Sequence, residues 1–461
     1  MIRRAGLAGL GVLKSRGGEV DTDAERPGFA AWYTLFILVC VVVFGYFDKH
    51  LFTTVAEPLR ISLGLSDGQL GLIQGLGFGF FGLVAVYPLG WLADRSDPRL
   101  VLPICVCAWS TSVAGCGLAR NFPELMLASS GIAAAEAGLM PIVFAVIPDL
   151  FAARWRSVAN MVFYCVGGLG AGLGVLGSGL LYNFVAAHGA SSLTAGAVGQ
   201  PWRAVLLLGA APAPLFMILI LTTPRLRRSS TSSVASVSTG SGPGLPAYFR
   251  ANWRSVAGVF LAPAVYTIAS AGIATWASVA LVRAFHASPG SVGAHLGSAL
   301  LAGSITGLAL AAAIVARWSA ALGSLLPLRA GRILIAVAAV PTAMLPFVAS
   351  LQAFYALTGV IFALAVATTA LAPALMQDVA PPGLRGRIIS LGFMVTAVFV
   401  VAGPIAFGFL SSLWPRQPRA LIDLMALLGV PCWLCGAMIL RVVEKPFKQT
   451  LARNAAARAD S

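Results

Sequence analysis

Apolar segments long enough to cross a bilayer recur along the whole chain. Of the 461 residues, 58% are hydrophobic and only 10% are charged, whereas soluble domains carry about 25% charged residues. A transmembrane helix needs about 20 mostly apolar residues, so the sequence predicts about twelve helices. They are expected at 29–54, 69–93, 100–118, 124–148, 157–185, 203–223, 254–283, 290–316, 331–349, 353–377, 387–412 and 420–441.

Two short charged patches divide the chain into similar halves. Asp149 ends one apolar segment and Arg156 opens the next, and Asp378 and Arg385 repeat this pattern 229 positions later. The offset is close to half of the chain, which indicates a duplicated membrane unit. Parallel repeats of this kind are typical of transporters that rock one half against the other. We therefore predict an all-α membrane protein with two six-helix bundles.

The expected boundaries follow from this division. A Ser/Gly-rich, basic stretch between the halves is predicted to be a flexible linker, and the polar C-terminal tail is predicted to be poorly ordered. The predicted regions are an N-terminal tail at 1–28, a first bundle at 29–223, the linker at 224–250, a second bundle at 251–441 and a C-terminal tail at 442–461.

The net charge of +15 would suit a nucleic-acid-binding protein, but the placement of the charges argues against that partner. Basic residues concentrate in one set of loops, including those at 95–99, 154–156 and 225–228, and in the segment 441–448. This positive-inside bias predicts that both termini are cytoplasmic. The richness in Ala, Gly and Arg is typical of a prokaryotic protein, so the inner (plasma) membrane is the expected location, with membrane lipids as neighbours. We expect a monomer.

Ionisable residues interrupt two predicted helices at similar depth. At a rise of 1.5 Å per residue, Asp48 lies roughly 14 Å before Glu57, and Glu136 lies roughly 17 Å from the corresponding end of its helix. Such residues are costly in a membrane and usually functional. A carboxylate that is desolvated but close to a cation can bind and release a proton near physiological pH. We predict Asp48 and Glu136 as proton-coupling acids with Lys49 as their counter-ion; the alternative is a static buried ion pair.

Other polar residues are predicted to line a central cavity. The first half offers Gln74, Asn160 and Tyr164, and the second half offers Tyr266, Thr267 and Trp276. The second half has no acid near the midplane, so one wall of the cavity is expected to be more polar than the other. A cavity of that kind suits an amphipathic substrate.

Glycine and proline mark further features of the predicted helices. Seven glycines lie between 167 and 179 in the fifth helix, where missing side chains let helices approach closely in lipid. Tight packing and a functional bend are both open explanations. Pro141 and Pro404 are expected to bend their helices.

The turn after the second helix, residues 87–99, carries a recognisable pattern. Gly90, Leu92, Asp94, Arg95 and Arg99 match the loop signature of the major facilitator superfamily, G-x-L-x-D-R-x-G-R-[RK], and the turn resembles that signature in its position between helices two and three. An aspartate and a proline, at 97 and 98, replace the second glycine and a basic residue.

The resemblance implies that this turn belongs to a cytoplasmic gate. In the superfamily, the position of Asp94 caps a helix of the other half, and Arg95 and Arg99 pair with nearby acids, for which Asp149 is the natural partner. Breaking such charge clusters allows rocking; the alternative is charge that only sets topology. The predicted gate comprises Asp94, Arg95, Arg99, Asp149, Arg156, Asp378 and Arg385.

A narrower resemblance covers about residues 40–180. Asp48 with its basic neighbour, the segment 65–74, Glu136 with its flanking glycine and alanine, and the segment 149–157 are together similar to the spinster branch of the superfamily. Eukaryotic members export sphingosine-1-phosphate or move lysophospholipids, so the resemblance implies a lipid-like substrate. Spinster-like sequences usually have an arginine where this chain has Ser129, so Lys49 is left as the only cation for an anionic headgroup. Lys49 and Ser129 are the residues predicted to lie at that headgroup.

These features predict a secondary active transporter working by alternating access. No nucleotide-binding loop and no His-Glu-x-x-His metal motif is present in the sequence, so we expect no enzymatic activity, no cofactor and no metal, and proton motive force as the energy source. The leading substrate is a lysophospholipid or a sphingoid-like lipid. The alternatives are a carrier of small organic anions or drugs, and a receptor or sensor that binds without translocating.

Overall fold

A computed structural model of the chain describes residues 28–151, 153–194, 196, 198–224, 245–381, 384–413 and 417–459. Within these residues all regular structure is helical. Ten stretches of the described residues are long and apolar enough to cross a membrane; one of them, 289–347, contains two successive helices. A further passage, between 122 and 150, is made by two shorter helices. The predicted all-α membrane fold is confirmed.

The described helices make twelve passages, named α1 to α12 in chain order; α2 has three consecutive segments, and α4 and α6 have two each. Their bounds are Phe29–Leu63 (α1), Asp67–Leu72 with Ile73–Phe80 and Phe81–Arg95 (α2), Pro98–Leu118 (α3), Phe122–Glu136 with Leu139–Leu150 (α4), Ala153–His188 (α5), Pro201–Ala210 with Ala213–Thr222 (α6), Leu245–Phe285 (α7), Pro289–Leu322 (α8), Leu326–Met344 (α9), Leu351–Val379 (α10), Arg385–Leu413 (α11) and Ala420–Ala459 (α12).

The molecule has two ends, at which successive helices begin and stop. The linker end is the end at which α6 stops at Thr222 and α7 starts at Leu245. The far end is the opposite one, which α1 reaches at Leu63. Successive helices alternate in direction between these two ends.

Helix α1 extends well beyond its predicted end at residue 54. It stops at Gly64, which adopts a left-handed conformation with φ of 64°. This C-cap geometry satisfies the last carbonyls of a helix and costs glycine nothing. The extra turns carry Glu57 and Arg60 to the far end as helical residues, where they form an ion pair three positions apart.

Helices α7 and α12 are also longer than predicted at the linker end. Helical structure in α7 starts at Leu245, inside the predicted linker, and is kinked at Asn252, which has a φ of −125° and a ψ of 20°. Helix α12 continues to Ala459. The prediction of a poorly ordered tail from residue 442 therefore differs from the structure. The reason is that Phe447, on the predicted tail, is fully buried and part of the apolar core.

Buried hydrogen bonds hold these two extensions together. The Thr450 hydroxyl of α12 donates to the side-chain oxygen of Asn252 at 3.1 Å, and it also lies 2.8 Å from the Ser255 hydroxyl. The Asn454 amide donates to the carbonyl of Val379, at the end of α10, at 3.2 Å. Buried polar groups without such partners would be costly, so this network explains why a polar sequence stays helical and packed.

Helix α4 is interrupted immediately after Glu136. Its first segment ends at that residue and its second begins at Leu139. Pro141 has no backbone N–H to donate to residue 137, four positions earlier, which weakens the helix at this point. This agrees with the bend predicted at Pro141, whereas α11 runs through Pro404 as one helix.

Glycines bring the two bundles into close contact along two helix pairs. On α5, a Cβ atom added to Gly179 would lie 2.2 Å from the backbone nitrogen of Ala294 in α8. On α2, a Cβ added to Gly71 would lie 2.8 Å from the carbonyl oxygen of Pro404 in α11. The dense glycines of α5 therefore serve close packing, one of the two explanations that the sequence left open.

These contacts lie mainly toward the far end. The segments of α2 that pack on α11 are the first two, Asp67–Leu72 and Ile73–Phe80. The last segment, Phe81–Arg95, packs chiefly on α4 of its own bundle, and the described residues show no comparable packing of it against the second bundle. The bundles are thus joined at the far end.

We predict that Gly179→Ala destabilises the protein although alanine is the better helix former. The added methyl group meets backbone, which cannot move aside without separating α5 from α8, and overpacking of this kind costs about 1–3 kcal/mol. Thermal unfolding in detergent should show a lower Tm. The matched control is Gly331→Ala, where the nearest atom to the new Cβ is a Leu440 methyl at 3.7 Å. Equal Tm values for the two variants would contradict the assignment.

Candidate functional site

An ion pair joins α1 to α4 halfway along the molecule. Lys49 Nζ lies 3.6 Å from Glu136 Oε2, and the two side chains are 40% and 26% exposed. Glu136 is the last residue of the first segment of α4, so it lies directly at the interruption of that helix. Both side chains of this pair thus keep part of their surface exposed, although they lie at half depth.

Asp48 has a partner of its own. The Trp109 indole N–H, from α3, donates to Asp48 Oδ2 at 2.7 Å. Both side chains are almost fully buried, and Asp48 Oδ1 has no hydrogen-bond partner among the described residues. The predicted sharing of Lys49 by both acids differs from this arrangement. Consecutive residues of a helix point about 100° apart, so Lys49 contacts α4 while Asp48 is turned toward α3.

The neighbouring turn of α1 packs against glycines of α5. A Cβ on Gly170 would lie 2.3 Å from the Tyr46 ring, and one on Gly174 would lie 2.7 Å from the His50 ring. His50 Nδ1 is buried without a hydrogen-bond partner in the described part of the chain. The four residues Asp48, Lys49, Trp109 and Glu136 are called the mid-membrane site below.

Ser129 belongs to α4 and packs against α2, and Gln74 belongs to α2. Ser129 is fully buried, its hydroxyl donates to the Met126 carbonyl at 2.9 Å, and a Cβ on Gly77 would lie 2.3 Å from that hydroxyl. The hydroxyl is therefore not available to a substrate headgroup, in contrast to our expectation. Gln74 lies in a π-helical segment of α2, and its buried amide has no partner among the described residues.

The predicted cavity residues of the second bundle are largely packing residues. Trp276 is fully buried, and its N–H donates to the Pro404 carbonyl at 3.1 Å, between α7 and α11. Tyr266 is buried, stacks on Trp433 and lies 3.3 Å from the Thr369 hydroxyl. Thr267 donates to a carbonyl of its own helix. Buried indole and phenol groups require partners, which is why these residues turn into helix contacts and leave this wall apolar.

Several predicted residues lie outside the side chains that the structure describes. They are the cavity residues Asn160 and Tyr164 and the gate residues Asp94, Arg95, Asp149, Arg156 and Arg385. Of the remaining gate residues, Asp378 is partly buried near the end of α10. Arg99 donates a hydrogen bond to the carbonyl of Leu221, so it ties α3 to α6 within the first bundle.

The departure from the loop signature at residue 97 has a structural role. Asp97 is the N-cap of α3, and its carboxylate accepts a hydrogen bond from the backbone N–H of Arg99 at 3.0 Å. Aspartate is among the best N-cap residues, and proline is favoured at the first helical position that follows. Asp97 and Pro98 thus form the start of α3, where the signature has a glycine and a basic residue.

A second charged site, which the sequence did not predict, lies at the far end. This far-end cluster comprises Glu57 and Arg60 from α1, Asp67 from α2, Arg283 from α7 and Ser411 from α11. One guanidinium nitrogen of Arg283 lies 2.7 Å from Glu57 and 2.7 Å from Asp67. The Ser411 hydroxyl donates to Asp67 at 2.6 Å. One arginine of the second bundle therefore bridges two carboxylates of the first.

The cluster lies in the wall of a depression of about 1060 Å³ on the far surface. All of its charged groups are paired, and Arg60 contributes two further hydrogen bonds to Glu57, of 2.9 and 3.0 Å. Charge-assisted hydrogen bonds of this kind are worth about 1.5–3 kcal/mol each. The signal in the sequence was an acidic pair, Glu57 and Asp67, at one end of the first bundle and a few arginines, Arg283 among them, at the same end of the second.

Comparison with known proteins gives the same architecture. The sequence profile of the Major Facilitator Superfamily matches residues 37–282. The chain is 27% identical over 445 residues to an MFS-type efflux pump of Mycolicibacterium smegmatis, which covers 92% of this chain and 98% of that protein. It is also 27% identical over 187 residues to the sphingosine-1-phosphate transporter SPNS2 of Mus musculus, 40% of this chain and 32% of that protein.

Among solved structures, the fold is similar to that of a bacterial homolog of the human lysosomal transporter spinster. That crystal structure, in an inward-facing and unoccupied conformation, superposes with a TM-score of 0.72 at 19% identity, covering 93% of this chain and 99% of that one. The similarity shows a shared fold. Together these matches confirm the resemblance to the spinster branch that the sequence predicted.

We predict that Arg283→Gln loosens the far end. The substitution leaves Glu57 and Asp67 with only Arg60 between them, so contacts worth about 1.5–3 kcal/mol each are lost. Hydrogen–deuterium exchange should show faster uptake in residues 57–72 and 404–413. Arg120→Gln is the control, because Arg120 is exposed on the same face and has no cross-bundle partner among the described residues. Unchanged uptake in Arg283→Gln would contradict the role of Arg283 in holding the bundles together at the far end.

Proposed function

The chain belongs to the major facilitator superfamily of transporters, and we propose that it is a proton-coupled secondary transporter that moves an amphipathic lipid by alternating access. The observation that carries this proposal is the mid-membrane site. The Lys49–Glu136 pair is accessible at half depth, and a second, buried acid lies beside it on the same helix. Ionisable groups at this depth are costly and are typical of proton relays.

The geometry suggests how a proton would change the site. Protonation of Glu136 removes the charge that neutralises Lys49, which frees the ammonium group to bind an anionic headgroup. Asp48 is able to take a proton on Oδ1 without losing the Trp109 bond, because that bond is made by Oδ2. Each acid thus has a separate means of binding a proton.

We place the linker end in the cytoplasm of a bacterial cell, because basic residues concentrate there. With that orientation, the far-end cluster is an extracytoplasmic latch, and its closure corresponds to an inward-facing state. Opening to the outside would require Arg283 to release Glu57 and Asp67. The transporter is proposed to act as a monomer, since the mid-membrane site and the latch are both complete within one chain.

The difference in polarity between the two bundles favours an amphipathic lipid as the cargo. The charged groups of the mid-membrane site all come from the first bundle, whereas Tyr266 and Trp276 of the second bundle are turned into helix packing. One polar wall and one apolar wall suit a headgroup and a chain. The relation to a sphingosine-1-phosphate transporter over 40% of the chain supports this class, with lysophospholipids and sphingoid-like lipids as the members to test.

A second candidate is export of drugs or small organic anions. It is favoured by the relation to an MFS-type efflux pump, which extends over 92% of the chain. Lys49 would then neutralise a soluble anion rather than a lipid headgroup. A receptor that binds without translocating is the remaining alternative, and it is distinguished from both by the absence of flux.

We predict that labelled lysophospholipid accumulates in proteoliposomes only when a proton gradient is imposed. Glu136→Gln keeps the shape of the side chain but cannot release a proton, so it should reduce gradient-driven accumulation roughly tenfold, within the range of coupling between linked sites. Glu124→Gln is the matched control, because Glu124 lies at the exposed start of the same helix.

The outcomes separate the alternatives. Gradient-driven flux of a fluorescent drug or an organic anion without lipid flux would shift the assignment to the second candidate. Full gradient dependence in Glu136→Gln would remove this residue from the coupling mechanism. Binding without flux of any compound would support a receptor.

A further inference from the structure

The outer surface of the second bundle carries a groove with basic residues at one end. It lies between α9 and α12 at the linker end and encloses about 1180 Å³. Its charged lining consists of Arg332, Arg441, Lys445 and Lys448, with Glu444 as the only acid among the lining residues. We call it the basic groove.

The single carboxylate of the groove, Glu444, already pairs with three cations. Glu444 pairs with Arg329 at 2.7 Å, with Arg332 at 3.1 Å and with Lys448 at 3.2 Å. Arg441 and Lys445 are exposed and have no partner among the described residues. The groove therefore keeps an excess of positive charge that the protein itself does not neutralise.

Below this basic rim, the floor of the groove continues into two apolar stripes. On α12, Leu427, Leu434 and Met438 are exposed and precede Arg441 at helical spacing. On α9, Ile333 and Val337 are exposed in the same way. Large apolar side chains exposed on a membrane helix face lipid chains, so the groove continues from hydrocarbon directly into a basic rim.

The apolar stripe on α12 is long enough to span one leaflet of a bilayer. At 1.5 Å per residue, Leu434 lies roughly 10 Å and Leu427 roughly 21 Å from Arg441 along the axis of α12. The hydrocarbon of one leaflet is about 15 Å thick, half of the ~30 Å of the whole core. A phospholipid whose acyl chains follow the stripes would place its phosphate beside Arg441 and Lys445.

We propose that the basic groove is a binding site for an anionic phospholipid of the surrounding bilayer. Basic pockets between transmembrane helices are suited to anionic headgroups, because charge attraction adds to burial of the acyl chains. The site is on the outer face of the second bundle, apart from the mid-membrane site, so it does not depend on which cargo the protein carries.

The test is a lipid titration of the purified, delipidated protein followed by native mass spectrometry. Phosphatidylglycerol and phosphatidylcholine with the same acyl chains are compared. We expect the wild type to bind phosphatidylglycerol more tightly, and Arg441→Gln/Lys445→Gln to weaken that binding about tenfold while leaving phosphatidylcholine unchanged. The charge-retaining Arg441→Lys/Lys445→Arg variant should keep the preference.

The control removes two exposed arginines from the same end of the molecule, in Arg250→Gln/Arg317→Gln. These residues lie on α7 and α8, outside the basic groove, so the preference should remain. Equal loss in the control would show a general effect of net charge and overturn the site. Equal affinity of the wild type for both lipids would also overturn it.

A water-soluble competitor tests the role of the apolar stripes. Glycerol 3-phosphate carries a phosphate but no acyl chains, so it should not displace phosphatidylglycerol at comparable concentration. Displacement would show that the groove binds phosphate alone and would contradict the assignment of a lipid. Arg441→Gln/Lys445→Gln should transport as the wild type does, because the groove lies apart from the mid-membrane site, which keeps this test separate from that of the transport function.

Discussion

The contact of Arg283 with Glu57 and Asp67 is the interaction on which the observed state of the protein depends. It joins one cation of the second bundle to two anions of the first, at the end where the bundles meet. The three side chains are only 5–19% exposed, and breaking a largely buried ion pair is destabilising because a charge is left without a partner. The closed far end is therefore stable only while the bundles remain in this register.

Small residues and charges act together in this closure. Gly71 and Gly408 bring α2 and α11 to backbone contact within a turn or so of Asp67 and Ser411, so the ionic contacts become possible. Helix α1 connects this latch with the mid-membrane site, since Lys49 and Glu57 are eight residues apart, or roughly 12 Å along the helix. A change of charge at Lys49 and Glu136 is thus only two turns away from the latch, on one rigid element.

The sequence predicted the parts that depend on one-dimensional patterns. Hydropathy gave the helices, and counting residues along them placed Lys49 and Glu136 at matching depth. The sequence could not predict that Trp109 is the partner of Asp48, or that Arg283 bridges two acids, because these contacts depend on how distant helices pack. The full length of α12 was not predicted for a related reason. Its polar residues suggested a disordered tail, whereas they form buried hydrogen bonds with Asn252, Ser255 and Val379.

The most direct test of the central claim, that the two ends open alternately, is a pair of spin-label distances measured in liposomes. One pair would join Ile61 to Ser412 across the far end, and the other would join Leu100 to Arg317 across the linker end, in a cysteine-replaced protein. With a proton gradient and substrate, we expect a longer far-end distance and a shorter linker-end distance to appear in equal proportion. Distances that stay fixed at both ends, or that lengthen together, would contradict the account.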